Sequence, residues 1–370
     1  MTNIDFSAID SLVIQAIDTG LFPGAAMAIG TEAGTAFRQC WGRRCFVPWS
    51  EKIGPGSLFD LASLTKPLVT AVSCMLLVQH GELSPEDRVS RFFTQAEGRI
   101  REITVGQLLS HSSGLRAHAR FHELLTIPEH FTREKRLDLV CGHILSMPLA
   151  CEPGTRAIYS DLGYILLGRI VQEITGQHLF EFAGSEILDK AAFPGICWKG
   201  GRDLEQDATV PSGFCSVRKR MLLGEVNDVN AWLLKGYAGH AGLFGSIEGV
   251  ERMVSAIMRS CTGEKGRLPI DTRVIRRFWQ SRPMVPGSTW HLGMDSPSAS
   301  GSTAGRYFSM NSIGHLGYTG TSFWIDMDAG LYCVFLCNRT FPFDTAESRS
   351  RMKKFRILIH ECARKSIGSN

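Results

Sequence analysis

The sequence lacks the patterns by which several enzyme classes are recognised. No Gly-x-Ser-x-Gly segment is present, which argues against an α/β-hydrolase with a nucleophile elbow. No glycine-rich phosphate-binding loop and no His-Glu-x-x-His pattern occur. Internal repeats and low-complexity stretches are absent as well. We therefore expect a protein without a cofactor and without a metal ion.

Membrane and export signals are also missing. The first twenty residues have Asp5 and no Lys or Arg ahead of their apolar residues, so they lack the basic region of a secretory signal and predict an amphipathic helix. The longest uncharged apolar run, residues 67–78, is too short to span a bilayer. The eleven cysteines are an odd number without a Cys-x-x-Cys pair, which favours free thiols in a reducing compartment. A cytoplasmic protein that does not bind membranes is expected.

The composition is typical of a globular enzyme. A hydrophobic fraction of 44% over 370 residues can form a large core in one large or two smaller folding units. The net charge of +4 is modest, and the one basic cluster, residues 349–356, fits the solvent-facing side of a C-terminal helix. No nucleic-acid partner is therefore expected. The sequence does not determine the oligomeric state.

A serine and a lysine three residues apart precede the most apolar part of the chain. On a helix, the side chains of Ser63 and Lys66 share one face, so the lysine can take the proton of the serine hydroxyl. Lysine desolvated beside the uncharged run 67–78 can become neutral enough to do so. Ser-x-x-Lys also occurs at residues 216–219 and 350–353, but among basic residues where lysine should be solvated and protonated. Ser63, on a buried central helix, is the candidate nucleophile.

Strand patterns lie near both chain ends, whereas helical patterns dominate the middle. Two short strands around residues 32–34 and two around residues 328–330 predict hairpins. Helical spacing of apolar residues is found in 162–176, and a last helix is predicted in 348–364.

These patterns indicate an α/β (α+β) fold. We expect an antiparallel sheet built from both chain ends and flanked by helices, with a mostly helical domain inserted. The predicted sheet domain comprises residues 1–62 and 243–370, and the predicted helical domain comprises residues 63–242. The active site is expected at their interface.

Three short motifs resemble those of the serine β-lactamases and penicillin-binding proteins. SLTK at 63–66, YSD at 159–161 and HLG at 315–317 follow the order of Ser-x-x-Lys, Tyr-x-Asn and Lys-Thr-Gly in that superfamily. Longer segments such as ITVGQLLSHSSGL and GHLGYTGTSFWID are similar too, over about residues 20–345. The resemblance is closest to the class C β-lactamase branch, with its D-Ala-D-Ala carboxypeptidases, D-aminopeptidases and family VIII esterases. It implies a β-lactamase/transpeptidase-like fold and a serine hydrolase that forms an acyl-enzyme.

The resemblance also implies roles for individual residues. Ser63 would be the acylated nucleophile, Lys66 its base or proton shuttle, and Tyr159 a second general acid/base. A phenol near a cationic lysine can have a lowered pKa and can pass a proton to a leaving group. The backbone N–H groups of Ser63 and Tyr318 would form the oxyanion hole.

The chain differs from the family motifs at residues that are expected to contact the substrate. Asp161 replaces the Asn of Tyr-x-Asn, so a side chain that can donate a hydrogen bond becomes one that, when ionised, only accepts. His315 and Leu316 replace Lys and Thr, which removes a permanent cation where relatives hold a substrate carboxylate. Asp161, His315 and Gly317 are the predicted substrate-binding residues, and an unperturbed His315 would be protonated below about pH 6. Asn227 and Val229 also differ from the family pattern, and no role is inferred for them.

Plainer interpretations exist for some of these residues. Ser160 or Asp161 could simply cap the helix that begins there, and Tyr159 could be a core tyrosine. His118 and His122 lie one helical turn apart, but without a zinc-peptidase pattern no metal site is expected.

Three functional hypotheses follow. The first is a cytoplasmic hydrolase of a small ester, amide or peptide, with esterase-like or D-amino-acid peptidase activity. The second keeps the mechanism but acts as a D-Ala-D-Ala carboxypeptidase or β-lactamase, for which Arg306 or Arg339 would have to replace the missing cation. The third is a non-catalytic binding protein on the same fold. The acyl and leaving groups of the substrate are not determined by the sequence.

Overall fold

The computed structural model describes residues 5–198, 208–263 and 268–368. The strands, in chain order, are β1 (Gly24–Thr31), β2 (Gly34–Gly42), β3 (Phe59–Asp60), β4 (Ile196–Trp198), β5 (Gly213–Cys215), β6 (Arg220–Leu222), β7 (Leu243–Gly245), β8 (Ser312–Leu316), β9 (Ser322–Asp326) and β10 (Leu331–Cys337). The helices are α1 (Ser7–Asp18), α2 (Val72–Gln79), α3 (Val105–Leu109), α4 (Phe121–Leu124), α5 (Arg133–Ser146), α6 (Asp161–Thr175), α7 (Leu179–Ala183), α8 (Val229–Leu233), α9 (Ile247–Thr262), α10 (Thr272–Trp279) and α11 (Ala346–Gly368).

The main sheet joins the two ends of the chain. Its strand order is β2-β1-β10-β9-β8, and every neighbouring pair is antiparallel. The N-terminal hairpin pairs with the penultimate element of the chain, so that Met27 lies opposite Phe335. The predicted fold class, an antiparallel sheet from both chain ends with a mostly helical insertion, is confirmed.

Both faces of this sheet are covered. Every residue of β10 is buried, as expected for a strand between two layers of helices. Val334 and Leu336 belong to the larger hydrophobic core, which includes α2 and α9, whereas Cys333 and Phe335 face the smaller core formed with α1 and α11. The apolar sequence LYCVFLC therefore suits a strand with two buried faces rather than alternating exposure.

The apolar segment after Ser63 is the central helix of the larger core. It begins with a 3₁₀ turn at Ala62–Leu64, continues as a wide π-helical segment at Lys66–Ala71 and ends as α2. Counted as one helix, Ala62–Gln79 is long and apolar enough to cross a membrane, but 83% of it is buried inside the protein. Its hydrophobicity is therefore explained by the packing of this fold.

Two small sheets were not predicted. β7 pairs with both β3 and β4, and β5 pairs with β6. Strands of two or three residues are too short to show an alternating pattern. β3 and β7 belong to the predicted sheet domain, whereas β4 belongs to the predicted helical domain, so this small sheet contains strands from both. The division of the chain into residues 1–62 with 243–370 and residues 63–242 stays a prediction.

The structure shows no disulfide bond among the described residues, which include all eleven cysteines. We therefore expect thiol titration of the denatured, unreduced protein to approach eleven thiols per chain. Each disulfide present in the purified protein would lower this count by two. A count reduced by two or more would contradict the prediction of free thiols and favour an exported protein.

Candidate active site

Ser63 lies in a tightly fixed turn directly after β3. Ala62 has a φ of +47°, a left-handed conformation that residues with a Cβ atom rarely adopt. The buried Asp60 carboxylate accepts from the Ala62 N–H at 2.8 Å and from the Asn227 N–H at 2.6 Å. Thr65 Oγ1 donates to the Ala62 carbonyl at 2.7 Å. These contacts hold the strained residue and thereby fix the position of Ser63.

The predicted contact between Ser63 and Lys66 is present. Lys66 Nζ lies 2.9 Å from Ser63 Oγ, and the lysine side chain is completely buried. Ser63 lies in the 3₁₀ turn and Lys66 is the first residue of the π-helical segment, so the contact joins these two segments and does not form within the expected α-helix. Lys66 also donates to the carbonyl of His240 at 3.0 Å.

The expectation that apolar surroundings neutralise Lys66 is wrong for the free protein. Asp161 Oδ1 lies 2.7 Å from Lys66 Nζ. Burial alone would lower the pKa of Lys66, but the charge of the Asp161 carboxylate favours the ammonium and the net effect raises the pKa. The sequence around Lys66 could not reveal this, because the carboxylate comes from the distant helix α6.

Tyr159 lies beside the lysine within an aromatic cluster. Lys66 Nζ is 5.0 Å from the centre of the Tyr159 ring, and the phenol interacts with both Lys66 and Ser63. Its ring packs against those of His111, at 4.4 Å, and Trp290, at 5.2 Å. Burial raises the pKa of Tyr159 more than Lys66 lowers it, so the expected net lowering is wrong and the phenol is protonated near neutral pH.

Ser160 and Asp161, at the start of α6, have different roles. Ser160 is the N-cap, since its Oγ accepts from the Gly163 N–H at 3.4 Å. The Asp161 carboxylate instead contacts Lys66, and its second oxygen lies 3.6 Å from His118 Nδ1. Burial opposes ionisation of Asp161, but the charge of Lys66 outweighs it and lowers the pKa. Its expected contact with a substrate stays a prediction.

His315 is a buried, neutral histidine on β8. Its Nδ1 lies 2.9 Å from the Leu316 carbonyl, so Nδ1 carries the proton and Nε2 has a lone pair. Within the described part of the chain, Nε2 has no hydrogen-bond partner. Burial, followed by the charge of Lys66, lowers the pKa of His315 to about 3. The expected protonation below about pH 6 is therefore wrong, because it assumed an unperturbed imidazole.

The segment after β8 packs directly against the turn that carries Ser63. A Cβ atom on Gly317 would lie 2.0 Å from Thr321 Oγ1 and 2.7 Å from the Leu61 carbonyl, so only glycine fits. Thr319 Oγ1 donates to the Asp60 carbonyl at 2.6 Å. These contacts place the HLG motif beside Ser63, while the predicted contact of Gly317 with substrate stays a prediction.

Two backbone N–H groups are available for an oxyanion. Ser63 lies in the first turn of its helix, where backbone N–H groups have no intrahelical acceptor. No acceptor for the Tyr318 N–H is found among the described residues. Tyr318 and Ser63 line the same cavity, and the Tyr318 side chain points away to Asp344.

The cavity above Ser63 has a volume of about 480 Å³ and contains residues that the sequence analysis missed. Asp228 caps α8 by accepting from the Ala231 N–H at 2.7 Å, and its Oδ1 lies 2.8 Å from His240 Nε2. His240 in turn supplies the carbonyl that binds Lys66. The sequence did contain a signal, because residues 224–231 (GEVNDVNA) and 239–246 (GHAGLFGS) also resemble family segments, but no role was inferred for Asp228 or His240.

The two arginines suggested as substitutes for the missing cation do not line this cavity. Arg306 lies 3.5 Å from Glu361 and is exposed. Arg339 is buried, forms an ion pair with Asp344 at 2.5 Å and donates to the Tyr318 carbonyl at 2.6 Å. Neither guanidinium is therefore free to hold a substrate carboxylate in this conformation.

His118 and His122 take part in separate contacts. His118 faces Asp161, and His122 Nε2 lies 3.6 Å from Glu123. In residues 5–198, 208–263 and 268–368, no three His, Cys, Asp or Glu side chains are grouped as metal ligands would be.

Comparison with known proteins gives relatives over nearly the whole chain. The chain is 26% identical to a putative D-alanyl-D-alanine carboxypeptidase of Escherichia coli, over 89% of this chain and 81% of that protein. It is 27% identical to an N-acetylmuramyl-L-alanine amidase of Bacillus subtilis, over 90% and 80% of the respective chains. The structure of EstCE1, described as a hydrolase with promiscuous acyltransferase activity, shares the fold, with a TM-score of 0.74 at 18% identity and coverage of 97% of this chain and 98% of that chain.

The family profile described as Beta-lactamase matches residues 9–354. That match covers most of the chain and includes all three motifs. The protein therefore belongs to the Beta-lactamase family and is an enzyme of the serine hydrolase class.

Proposed function

We propose that the enzyme hydrolyses small uncharged esters or amides through an acyl-enzyme formed on Ser63. The observation that carries this proposal is the 2.9 Å contact of Ser63 Oγ with Lys66 Nζ, beside the phenol of Tyr159. A serine hydroxyl needs a neighbouring proton acceptor to attack a carbonyl carbon, and these two side chains are the ones within reach.

Proton transfer in this site involves Lys66 and Tyr159 as a pair. In the free enzyme both are protonated, because their pKa values are raised. Loss of one proton from the pair creates the base that takes the Ser63 proton as Ser63 Oγ bonds to the carbonyl carbon. The same proton then passes to the leaving oxygen or nitrogen. Water then hydrolyses the acyl-enzyme ester on Ser63. In this step the pair of Lys66 and Tyr159 accepts a proton from the attacking water and afterwards returns it to Ser63 Oγ.

The oxyanion of each tetrahedral intermediate would accept from the N–H groups of Ser63 and Tyr318. Fixed donors of this kind stabilise the charge that develops on the carbonyl oxygen. The contacts of Thr319 and Asp60 that hold the two segments together support this role.

Charges around the cavity favour an uncharged substrate. Two carboxylates, Asp161 and Asp228, line it, and the buried His315, which is not one of the lining residues, is neutral. Lys66 is paired with Asp161, and the exposed Arg120 lies 3.1 Å from Glu123. A substrate carboxylate would therefore meet repulsion without a fixed cation in compensation.

A D-Ala-D-Ala carboxypeptidase or β-lactamase activity is the second candidate. It is supported by the similarity to the Escherichia coli protein described as a putative D-alanyl-D-alanine carboxypeptidase. Such substrates carry a carboxylate, and those of the cell wall lie outside the cytoplasm. Our preference for a cytoplasmic enzyme rests on the odd number of cysteines and on the lack of a disulfide among the described residues.

Substrate selectivity separates the two candidates. We expect short-chain p-nitrophenyl esters to be hydrolysed much faster than penicillin G at about pH 8. His315→Lys should narrow the ratio of the two kcat/KM values about tenfold, because one charge-assisted hydrogen bond contributes about 1.5 kcal/mol. Since the pKa of His315 is about 3, wild-type penicillin turnover should not improve between about pH 7 and pH 5.

His80→Lys adds the same charge at an exposed position and is the matched control. Fluorophosphonate labelling reports whether each variant retains a folded active site. Efficient penicillin turnover by the wild type, unaffected by His315→Ala, would contradict the preference for an uncharged substrate.

A further inference from the structure

The ammonium group of Lys66 has three hydrogen-bond partners. Nζ lies 2.7 Å from Asp161 Oδ1, 2.9 Å from Ser63 Oγ and 3.0 Å from the His240 carbonyl. An ammonium has three N–H donors, so all are used. A neutral amine also fits this arrangement, because it can donate to Asp161 and the His240 carbonyl while its lone pair accepts from Ser63. The site therefore accommodates both the ammonium and the neutral amine of Lys66, and the charges of the surrounding groups determine which form is present.

Asp161 dominates the charge balance around the lysine. In the described part of the chain, it is the one carboxylate in direct contact with Nζ. The other titratable groups that face Lys66 are the protonated phenols of Tyr159 and Tyr164, at 5.0 and 5.6 Å from Nζ to the ring centres, and the neutral imidazoles of His111 and His315.

The carboxylate also faces the cavity. Its second oxygen lies 3.6 Å from Nδ1 of His118, whose side chain is 45% exposed. Asp228 lines the same cavity and is paired with His240 at 2.8 Å. Protons exchanged by the buried lysine thus have a short route along Asp161 and His118 to solvent.

We propose that Asp161 is a positioning residue that keeps Lys66 in its ammonium form and thereby sets the pH at which Ser63 becomes a nucleophile. The proposal rests on the proposed function, since it takes Lys66 as the proton acceptor. One proton leaves the ammonium for solvent before the reaction. The amine then takes the Ser63 proton as the acyl–oxygen bond forms, and the leaving group receives it as its own bond to the carbonyl carbon breaks.

The sign of the effect follows from the charges. A carboxylate 2.7 Å from the ammonium stabilises the protonated lysine and moves its deprotonation to higher pH. An asparagine at position 161 has nearly the same shape and can still accept from Nζ, but it has no charge. Removing the charge therefore increases the fraction of active enzyme at neutral pH.

The test is the pH dependence of kcat/KM for a neutral p-nitrophenyl ester, together with the rate of Ser63 phosphonylation by a fluorophosphonate. In the wild type, the rising limb of both profiles should lie well above neutral pH. In Asp161→Asn it should move down by about one pH unit or more, so that the variant is about tenfold faster than the wild type near pH 7. Asp138→Asn, at a carboxylate with a 54% exposed side chain that is paired with Arg169, is the matched control and should leave the limb in place.

Several outcomes would overturn the proposal. If the rising limb of the wild-type pH profile is centred below about pH 7, the proposal is overturned without any variant. If Asp161→Asn does not fold, Asp161→Ser takes its place in the test. A variant that loses activity at every pH with the limb unmoved would show that Asp161 is only structural. An increased KM with an unmoved limb would make it a substrate contact instead. Failure of the reagent to label Ser63 would reject the proposed function, whereas labelling with an unmoved limb would reject only this inference.

Discussion

Ser63→Ala is expected to lose on the order of 10⁴-fold or more in kcat on every substrate, because no other group can form the acyl-enzyme. The variant should fold normally. Ser63 is partly exposed at the cavity, and its backbone is held by Asp60 and Thr65 rather than by its own side chain. Initial rates with a p-nitrophenyl ester, combined with circular dichroism of the same samples, measure the effect.

Two other serines provide matched controls. Ser216 and Ser350 share the Ser-x-x-Lys spacing, and all four side chains of these two pairs are exposed in the structure. Ser216→Ala and Ser350→Ala should therefore retain wild-type kcat. A tenfold loss in either, or residual turnover above a few per cent in Ser63→Ala, would contradict the assignment of the nucleophile.

Lys66→Met is expected to lose on the order of 10³-fold or more in kcat/KM, in line with the loss of a positioned base. Methionine fills a similar volume, but it leaves the Asp161 carboxylate without its partner, which should destabilise the fold by about 3 kcal/mol. Rates must therefore be measured per folded molecule, with thermal unfolding in parallel.

The double variant Lys66→Met/Asp161→Asn separates the two effects. It removes the unpaired carboxylate and should recover most of the lost stability while remaining inactive. Lys219→Met, at an exposed lysine, is the control for the substitution itself. Activity of Lys66→Met within tenfold of the wild type would place the base elsewhere.

The parts of the fold that could be predicted are those with strong local signals. The turns at residues 32–34 and 328–330 locate the hairpin of β1 and β2 and that of β9 and β10. A sheet built from both chain ends was predicted because strand patterns lie at both ends, but the pairing of β1 with β10 joins distant segments and was not itself predicted. The strands β3 to β7 have two or three residues each, so local periodicity could not indicate them.

The candidate site shows a similar limit. The Ser-x-x-Lys spacing predicted the contact of Ser63 with Lys66, and the family resemblance implied that Tyr159 acts with them; the structure brings all three together. Their protonation states depend on burial and on contacts between distant segments, which is why neutral Lys66 and protonated His315 were wrong predictions. Asp161 was interpreted from its own neighbourhood as a possible helix cap, whereas its carboxylate contacts Lys66, 95 positions earlier in the chain.

The most direct test of the proposed mechanism is intact-mass measurement after treatment with a fluorophosphonate. We expect a single adduct per chain, lost in Ser63→Ala and retained in Ser216→Ala and Ser350→Ala. The result that would contradict the mechanism is an adduct of undiminished yield on Ser63→Ala, because the nucleophile would then be a different residue.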